Sequence, residues 1–121
     1  MSQPSTATTP RDGSMITIPQ LSRFLVYRKA LTLLGGIYEI ALHGSLRDQM
    51  NRAAESVVLN IAEGAAQRSL AMRNKHLEIA RGSLWEVGSC LDVLAIRGVN
   101  PCLAAPVREI DAMLRALLGR R

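Results

Sequence analysis

The stretch from Leu46 to Gly64 constrains the fold of this chain most strongly, because two regular stripes of side chains run along it. Residues that recur three and four positions apart lie on one side of an α-helix. The apolar stripe consists of Leu46, Met50, Ala53, Val57 and Ile61. The polar stripe consists of Gln49, Arg52, Ser56, Asn60 and Glu63. The stretch therefore predicts one amphipathic helix whose polar side is suited to hydrogen bonding.

Three further segments share this helical spacing. The first helix is predicted from Pro19 to His43, the third from Ser69 to Gly98, and the fourth from Pro106 to Gly119. The expected apolar seam of the first helix is Phe24, Tyr27, Leu31, Leu34, Tyr38 and Ala41. Helices joined by short loops predict an all-α fold over residues 19–121, an up-down-up-down, left-handed four-helix bundle that assembles into a homo-oligomer. Residues 1–18, rich in Ser, Thr and Pro, are predicted to form a disordered tail.

Two features suggest contacts between subunits. A second apolar row on the first helix, formed by Val26, Leu33 and Ile40, either widens the core face or forms an oligomer interface, and the interface is the favoured interpretation. Trp85 lies off the main seam of the third helix, so it is also predicted to contact another subunit. The alternative for Trp85 is a boundary position covered by the N-terminal tail or by the fourth helix.

The polar stripe of the second helix is the best candidate site. Its five residues are expected to meet Glu86 and neighbouring groups of the third helix, or the same groups in another subunit. One interpretation is a hydrogen-bonded network that fixes the register of the helices. The other is a recognition surface for a nucleic-acid backbone or a protein partner.

The chain is basic, with 15 Lys and Arg against 10 Asp and Glu, a net charge of +5. Four cations, Arg68, Arg73, Lys75 and Arg81, surround the predicted start of the third helix. The helix dipole favours anions at that end, so the cluster is a hypothetical RNA or DNA binding site. The alternative is a solvated basic face. No aromatic stacking platform is evident, so sequence-specific recognition of single strands is not expected.

No catalytic constellation emerges from the sequence. Cys90 and Cys102 fit no metal spacing, and they are expected to be small buried thiols in a reducing cytoplasm. There is neither a signal-peptide pattern nor an apolar run long enough to span a membrane. The expectation is a non-enzymatic cytoplasmic scaffold or binding module without metal, cofactor or membrane contact. The alternative is an uncharacterised enzyme with a site at a subunit interface.

The run LRDQMNRAAESVVLNIAEG, followed by Arg68-Ser69 and by IARGSLWE at 79–86, resembles the 23S rRNA-intervening-sequence four-helix-bundle family. That family shows Q-x-x-RA-x-S-x-x-x-NIAEG, R-S and IA-x-GSL-x-E at these places. The resemblance implies a ring of identical subunits, since relatives of the accessory variability determinant type, which act in diversity-generating retroelements, look like pentamers. It also implies a reverse-transcriptase-like partner. Arg73 and His76 stand where the family has Phe, so the start of the third helix is expected to pack differently.

Overall fold

The computed structural model describes residues 15–120, and it consists of four α-helices preceded by a short 3₁₀ turn at Pro19–Arg23. The helices are α1 (Leu25–Tyr38), α2 (Ser45–Ala66), α3 (Leu70–Ile96) and α4 (Ala104–Leu117). No strand occurs between residues 15 and 120, which confirms the all-α prediction. Residues 1–14 of the predicted tail lie outside the described residues, as does residue 121.

Each helix packs against its neighbours in the chain, and α4 returns to pack against α1. The partners run in opposite directions: Gln49 and Asn60 of α2 bond to Glu86 and His76 of α3, respectively. The same alternation closes the arrangement. Lys29 near the start of α1 pairs with Glu109 in the middle of α4 at 2.9 Å, whereas Gly36 near the end of α1 faces Leu103 just before α4. The observed order of directions is therefore up, down, up, down.

The core is aliphatic, because helical rows of Leu, Ile, Val, Ala and Met meet along the axis of the bundle. Four members of the predicted apolar stripe of α2 are fully buried, and Leu46 is partly buried against them. The largest buried side chains are Leu33, Ile37, Met50, Ile61, Leu84, Leu94, Ile110 and Leu114. None of the four aromatic residues belongs to this set, so burial of aliphatic area is the main driving force for folding.

The predicted seam of α1 is confirmed only in part, because a neighbouring row is buried more deeply. Tyr27, Leu31 and Leu34 pack against the core as partly buried residues, whereas Phe24, Tyr38 and Ala41 are exposed. Val26 and Leu33 are 4% and 1% exposed within the single chain, and Ala30 and Ile37 complete their row. Both rows have helical spacing, so periodicity alone does not decide which one faces the other helices. Val26 and Leu33 are consequently unavailable to another subunit, and their assignment to an oligomer interface is corrected here.

The first helix is also shorter than predicted. The backbone at Phe24 is extended, which separates the 3₁₀ turn from α1, and the helix ends at Tyr38. Ile40 therefore lies in the loop after α1, where it packs against the core, and it continues no interface row. Gly44, with φ of 92°, precedes α2 as its N-cap. Glycine tolerates this φ because it has no Cβ.

Two other local features have a direct physical reason. Ser69 caps α3, and its hydroxyl accepts a hydrogen bond from the Met72 backbone N–H at 3.2 Å. Gly36 remains helical and permits close packing, because a Cβ there would lie 3.0 Å from Cδ2 of Leu103.

Both cysteines are free thiols: Cys90 is buried as expected, whereas Cys102 is exposed. Burial, followed in importance by the charge of Glu86, raises the pKa of the Cys90 thiol. Among residues 15–120, no three His, Cys, Asp or Glu side chains converge as metal ligands would. No helix in this part of the chain has both the length and the apolar character required to cross a membrane.

Candidate functional site

The polar stripe of α2 lies along its seam with α3, and its central part is closed by hydrogen bonds. The hydroxyls of Ser56 and Ser83 lie 2.7 Å apart. Asn60 Nδ2 donates to the Ser56 backbone oxygen at 2.9 Å and to its Oγ at 3.1 Å. These three side chains are partly buried, so their mutual bonds compensate for the cost of removing polar groups from water.

The ends of the seam are more exposed. At one end, Gln49 Nε2 donates to Glu86 Oε2 at 3.1 Å. At the other end, His76 Nδ1 lies 3.3 Å from Asn60 Oδ1 and 3.5 Å from Glu63 Oε2. His76 thus extends the polar contacts of the seam toward Glu63.

Arg52 is the exception in the polar stripe. Its side chain is exposed, and it forms no hydrogen bond or ion pair with another residue in the range 15–120. Five of the six predicted network residues are therefore brought together, and Arg52 is left at the surface. That the seam also takes part in an assembly stays a prediction.

The outer surface of this helix pair carries apolar side chains that residues 15–120 leave uncovered. Leu59 of α2 is 62% exposed, and Ile79 and Val93 of α3 are also exposed. Gly82 lies between these two α3 residues on the same outward side of the helix. We call the surface formed by Leu59, Ile79, Gly82, Glu86 and Val93 the α2–α3 face.

The predicted basic cluster does not converge into one site. Arg73 Nη2 donates to the backbone oxygen of Leu117 at 2.7 Å, so its cation lies at the carbonyl end of α4, where the helix dipole favours it. Arg81 is turned toward α4 and is bound by Asp111. Only Arg68 and Lys75 of the four are exposed, and the assignment of Arg73 and Arg81 to an open anion site at the start of α3 is corrected.

Asp111 is a site residue that the sequence analysis missed. Its Oδ1 accepts hydrogen bonds from Arg81 Nε and from Trp85 Nε1, both at 2.9 Å, and its Oδ2 lies 3.4 Å from Arg115 Nε. The available signal was spacing: Arg81 and Trp85 are one turn apart on α3, as are Asp111 and Arg115 on α4. That spacing does not reveal which carboxylate faces them across the helix pair.

Trp85 and Asp111 border an open groove between α3 and α4 with a volume of ≈ 740 Å³, which we call the α3–α4 groove. Arg81 and Arg115 lie near one end of the groove, and Asp92 lies near the other. The Trp85 side chain is 60% exposed, and the Arg81 guanidinium carbon lies 5.1 Å from its ring centroid. Trp85 is therefore a boundary residue against α4, as the sequence allowed, with much of its ring accessible.

A separate polar contact joins α1 to α2, and it makes stability depend on pH. Tyr38 Oη donates to Glu55, and burial, followed by this hydrogen bond and the charge of Glu55, raises the pKa of Tyr38 from 10.0 to about 12. Below pH 10 both the folded and unfolded chains keep the phenol proton. As the pH rises from 10 toward 12, the unfolded chain loses that proton first, so we expect stability to fall across this window.

The effect should be on the order of 1 kcal/mol, because solvent screens a half-exposed group. Urea unfolding at pH 9 and pH 11 measures it, and the Tyr38→Phe variant should lose less stability between the two than the wild type. Tyr27→Phe is the matched control. An equal loss in the wild type and in Tyr38→Phe would contradict the assignment.

Comparison with known proteins places these elements in a family. No protein with a curated description matches the chain. The family model described as 23S rRNA-intervening sequence protein matches residues 22–114, from the 3₁₀ turn into the last turn of α4. This match contains both helices of the polar seam and all of the α3–α4 groove except Arg115. On that match, this chain belongs to the 23S rRNA-intervening sequence protein family.

Proposed function

We propose that the protein is a non-enzymatic scaffold that self-associates through the α2–α3 face and binds nucleic acid. The observation that carries the self-association is the combination of exposed apolar residues with a helical glycine on the outward side of α3. Glycine in a helix interior costs roughly 1 kcal/mol relative to alanine. Within the described residues, a Cβ at Gly82 would meet nothing within 4 Å, so intrachain packing gives no reason for that cost.

A neighbouring subunit packed against Gly82 would explain why a glycine stands at this position. Small residues allow two helices to approach closely, and the adjoining Leu59, Ile79 and Val93 offer apolar area to bury. The Gln49–Glu86 pair at the edge of the face is exposed and would add polar complementarity. The α2–α3 face thus replaces the row on α1 as the proposed subunit contact.

A ring follows if this face meets a different surface on the next copy, because head-to-tail contacts close into cyclic assemblies. We propose a pentamer of left-handed bundles in the cytoplasm, with a reverse-transcriptase-like protein as partner, as the form that this assembly takes. A second, different surface on the subunit is then required. The exposed residues before α1, including Ile18 and Phe24, are candidates for it.

The nucleic-acid half of the proposal is supported by charge. The net charge of +5 favours polyanions, and Arg68 and Lys75 remain exposed at the end of the bundle where α2 meets α3. Phosphate contacts by such cations require no particular base sequence, and they weaken steeply as salt rises. RNA or DNA is therefore proposed as a ligand of the assembled scaffold.

Replacement of Gly82 by Leu tests the self-association. The variant should sediment as a single chain at micromolar concentration, whereas the wild type should sediment as a multiple of the 13.2 kDa chain mass. Its helical circular dichroism should stay unchanged, because a Cβ at this position has no neighbour within 4 Å in the described chain. Sedimentation equilibrium and far-ultraviolet circular dichroism provide the two readings.

Gly88→Ala is the matched control on the α4 side of the same helix, where a Cβ would make an ordinary contact 3.8 Å from Val107. It should leave both the mass and the helicity unchanged. A wild type that stays a single chain at micromolar concentration would end the scaffold proposal. So would a Gly82→Leu variant that keeps the mass of the wild type.

A further inference from the structure

We propose that the α3–α4 groove binds one nucleotide of a single-stranded nucleic acid, with the base stacked on Trp85 and the phosphate on the arginines of the groove. The inference rests on the proposed function in that nucleic acid is the ligand. It concerns a different surface from the exposed Arg68 and Lys75, and it predicts contact with a base as well as with the backbone.

The indole ring of Trp85 is held in place before any ligand arrives. Its Nε1 donates to Asp111 at 2.9 Å, so its one polar group already has a partner and its orientation is fixed from α4. The Arg81 guanidinium lies over one face of the ring, which leaves the other face for a ligand. A fixed aromatic face that remains accessible loses little conformational entropy when a base stacks on it.

The arginines of the groove keep donors for an anion. Asp111 accepts a hydrogen bond from Nε of Arg81 and lies near Nε of Arg115. It therefore contacts each guanidinium on its Nε side. Among the described residues, the terminal nitrogens of these two arginines and the whole guanidinium of Arg108 have no hydrogen-bond acceptor. Paired terminal nitrogens match the geometry of a phosphate group.

Charge is distributed unevenly along the groove, and this orients the ligand. Arg81 and Arg115 border the half that contains Trp85, Arg108 lies near the middle of the groove, and Asp92 borders the other end beside Ala104. A phosphate is therefore repelled from the Asp92 end and attracted to the arginine end. The groove volume of ≈ 740 Å³ lies within the range of about 300–1,000 Å³ typical of small-ligand sites, which accommodates a single nucleotide.

The ligand must be single-stranded, because the bases of a duplex are already stacked and paired. An unpaired base can leave its neighbours and lie flat on an aromatic ring, and recognition of RNA commonly uses this geometry. Trp85 thus supplies the stacking platform that the sequence analysis did not anticipate.

Trp85 is the single tryptophan of the chain, so its fluorescence reports on the groove directly. Titration of the full-length protein with a ten-residue oligouridylate at low salt should quench this emission. A fluorescently labelled oligouridylate then measures affinity in the variants. Trp85→Ala should weaken binding by roughly 5- to 150-fold, the loss equivalent to about 1–3 kcal/mol per stacked base.

Arg108→Glu should weaken binding several-fold, and its matched control is Arg97→Glu. Arg97 is an exposed arginine just after α3 that does not line the groove, and the substitution changes the net charge by the same amount. An equal effect of the two substitutions would mean that only overall charge matters, which would overturn the assignment of the phosphate to the groove.

Four further results would overturn the proposal. Tripolyphosphate that competes as well as the oligonucleotide would make the groove a simple anion site. A blue shift of the emission that grows with protein concentration, without ligand, would assign the groove to a second copy of the chain. Binding that survives Trp85→Ala but is lost on Arg68→Glu with Lys75→Glu would place the nucleic acid elsewhere, and the proposed function would stand. Absence of binding by every variant at low salt would remove the nucleic-acid half of that function as well.

Discussion

Leu33→Ala is expected to lower the free energy of unfolding by about 3 kcal/mol, whereas Leu25→Ala should change it by less than about 1 kcal/mol. Both leucines belong to α1, but Leu33 is 1% exposed in the core and Leu25 is 47% exposed. Truncation of a buried leucine loses its transfer free energy and leaves a cavity, and truncation of an exposed leucine does neither. Urea unfolding followed by far-ultraviolet circular dichroism gives both values.

The pair of variants also separates the two interpretations of α1. If the row containing Leu33 covered a subunit contact, Leu33→Ala would change the mass in solution and leave a stable single chain. The structure requires the opposite result, a large loss of stability with the assembly state governed by other residues. A mild effect at Leu33 combined with a large one at Leu25 would mean that the helix is rotated from the position described.

Gly64→Ala and Gly88→Ala are expected to differ by about 2 kcal/mol in stability, although both replace a helical glycine. A Cβ at Gly64 would lie 3.2 Å from the backbone oxygen of Arg73 and 3.3 Å from Cδ2 of Leu77. Backbone in the first turn of α3 cannot yield without shifting the helix, so this substitution should lower the free energy of unfolding by about 1–2 kcal/mol.

At Gly88 the nearest atom would be 3.8 Å away, an ordinary contact, so the gain in helix propensity should leave stability unchanged or raise it by up to about 1 kcal/mol. Differential scanning calorimetry of the two variants beside the wild type measures the difference. Equal melting temperatures for the two variants would show that α2 and α3 do not approach as closely at Gly64 as described.

The α2 segment was predictable because several independent features of its sequence agree with one another. The apolar stripe, the polar stripe and the terminal glycine all indicate one helix packed closely against the next, and that is how residues 45–66 are arranged. The family motif concentrates in the same region, so pattern and resemblance reinforce each other there.

The α1 segment was not predictable from its spacing, because nearly every position carries an apolar residue. Tyr27, Leu31 and Leu34 offer a seam as regular as Val26, Ala30 and Leu33 do. The choice depends on which surface fits α2 and α4, and that is a property of three helices together. The break at Phe24 is equally hidden, since no proline or glycine marks it.

The groove was missed for a related reason. Arg81 had been grouped with cations near it in the chain, but its guanidinium crosses to Asp111 on α4, thirty positions away. A single sequence contains both residues without indicating that they meet. The contact that fixes Trp85 therefore becomes evident only when the register of α3 against α4 is known.

A core without a fully buried aromatic ring has a consequence for how this protein can be observed. Phe24, Tyr38 and Trp85 lie in exposed positions and Tyr27 is partly covered, so no ring reports on the centre of the bundle. Near-ultraviolet circular dichroism will therefore record the binding of other molecules at the periphery more faithfully than it records melting. The interior itself will be visible mainly through its methyl groups, which makes methyl-resolved nuclear magnetic resonance the natural method for measuring the motions of the core.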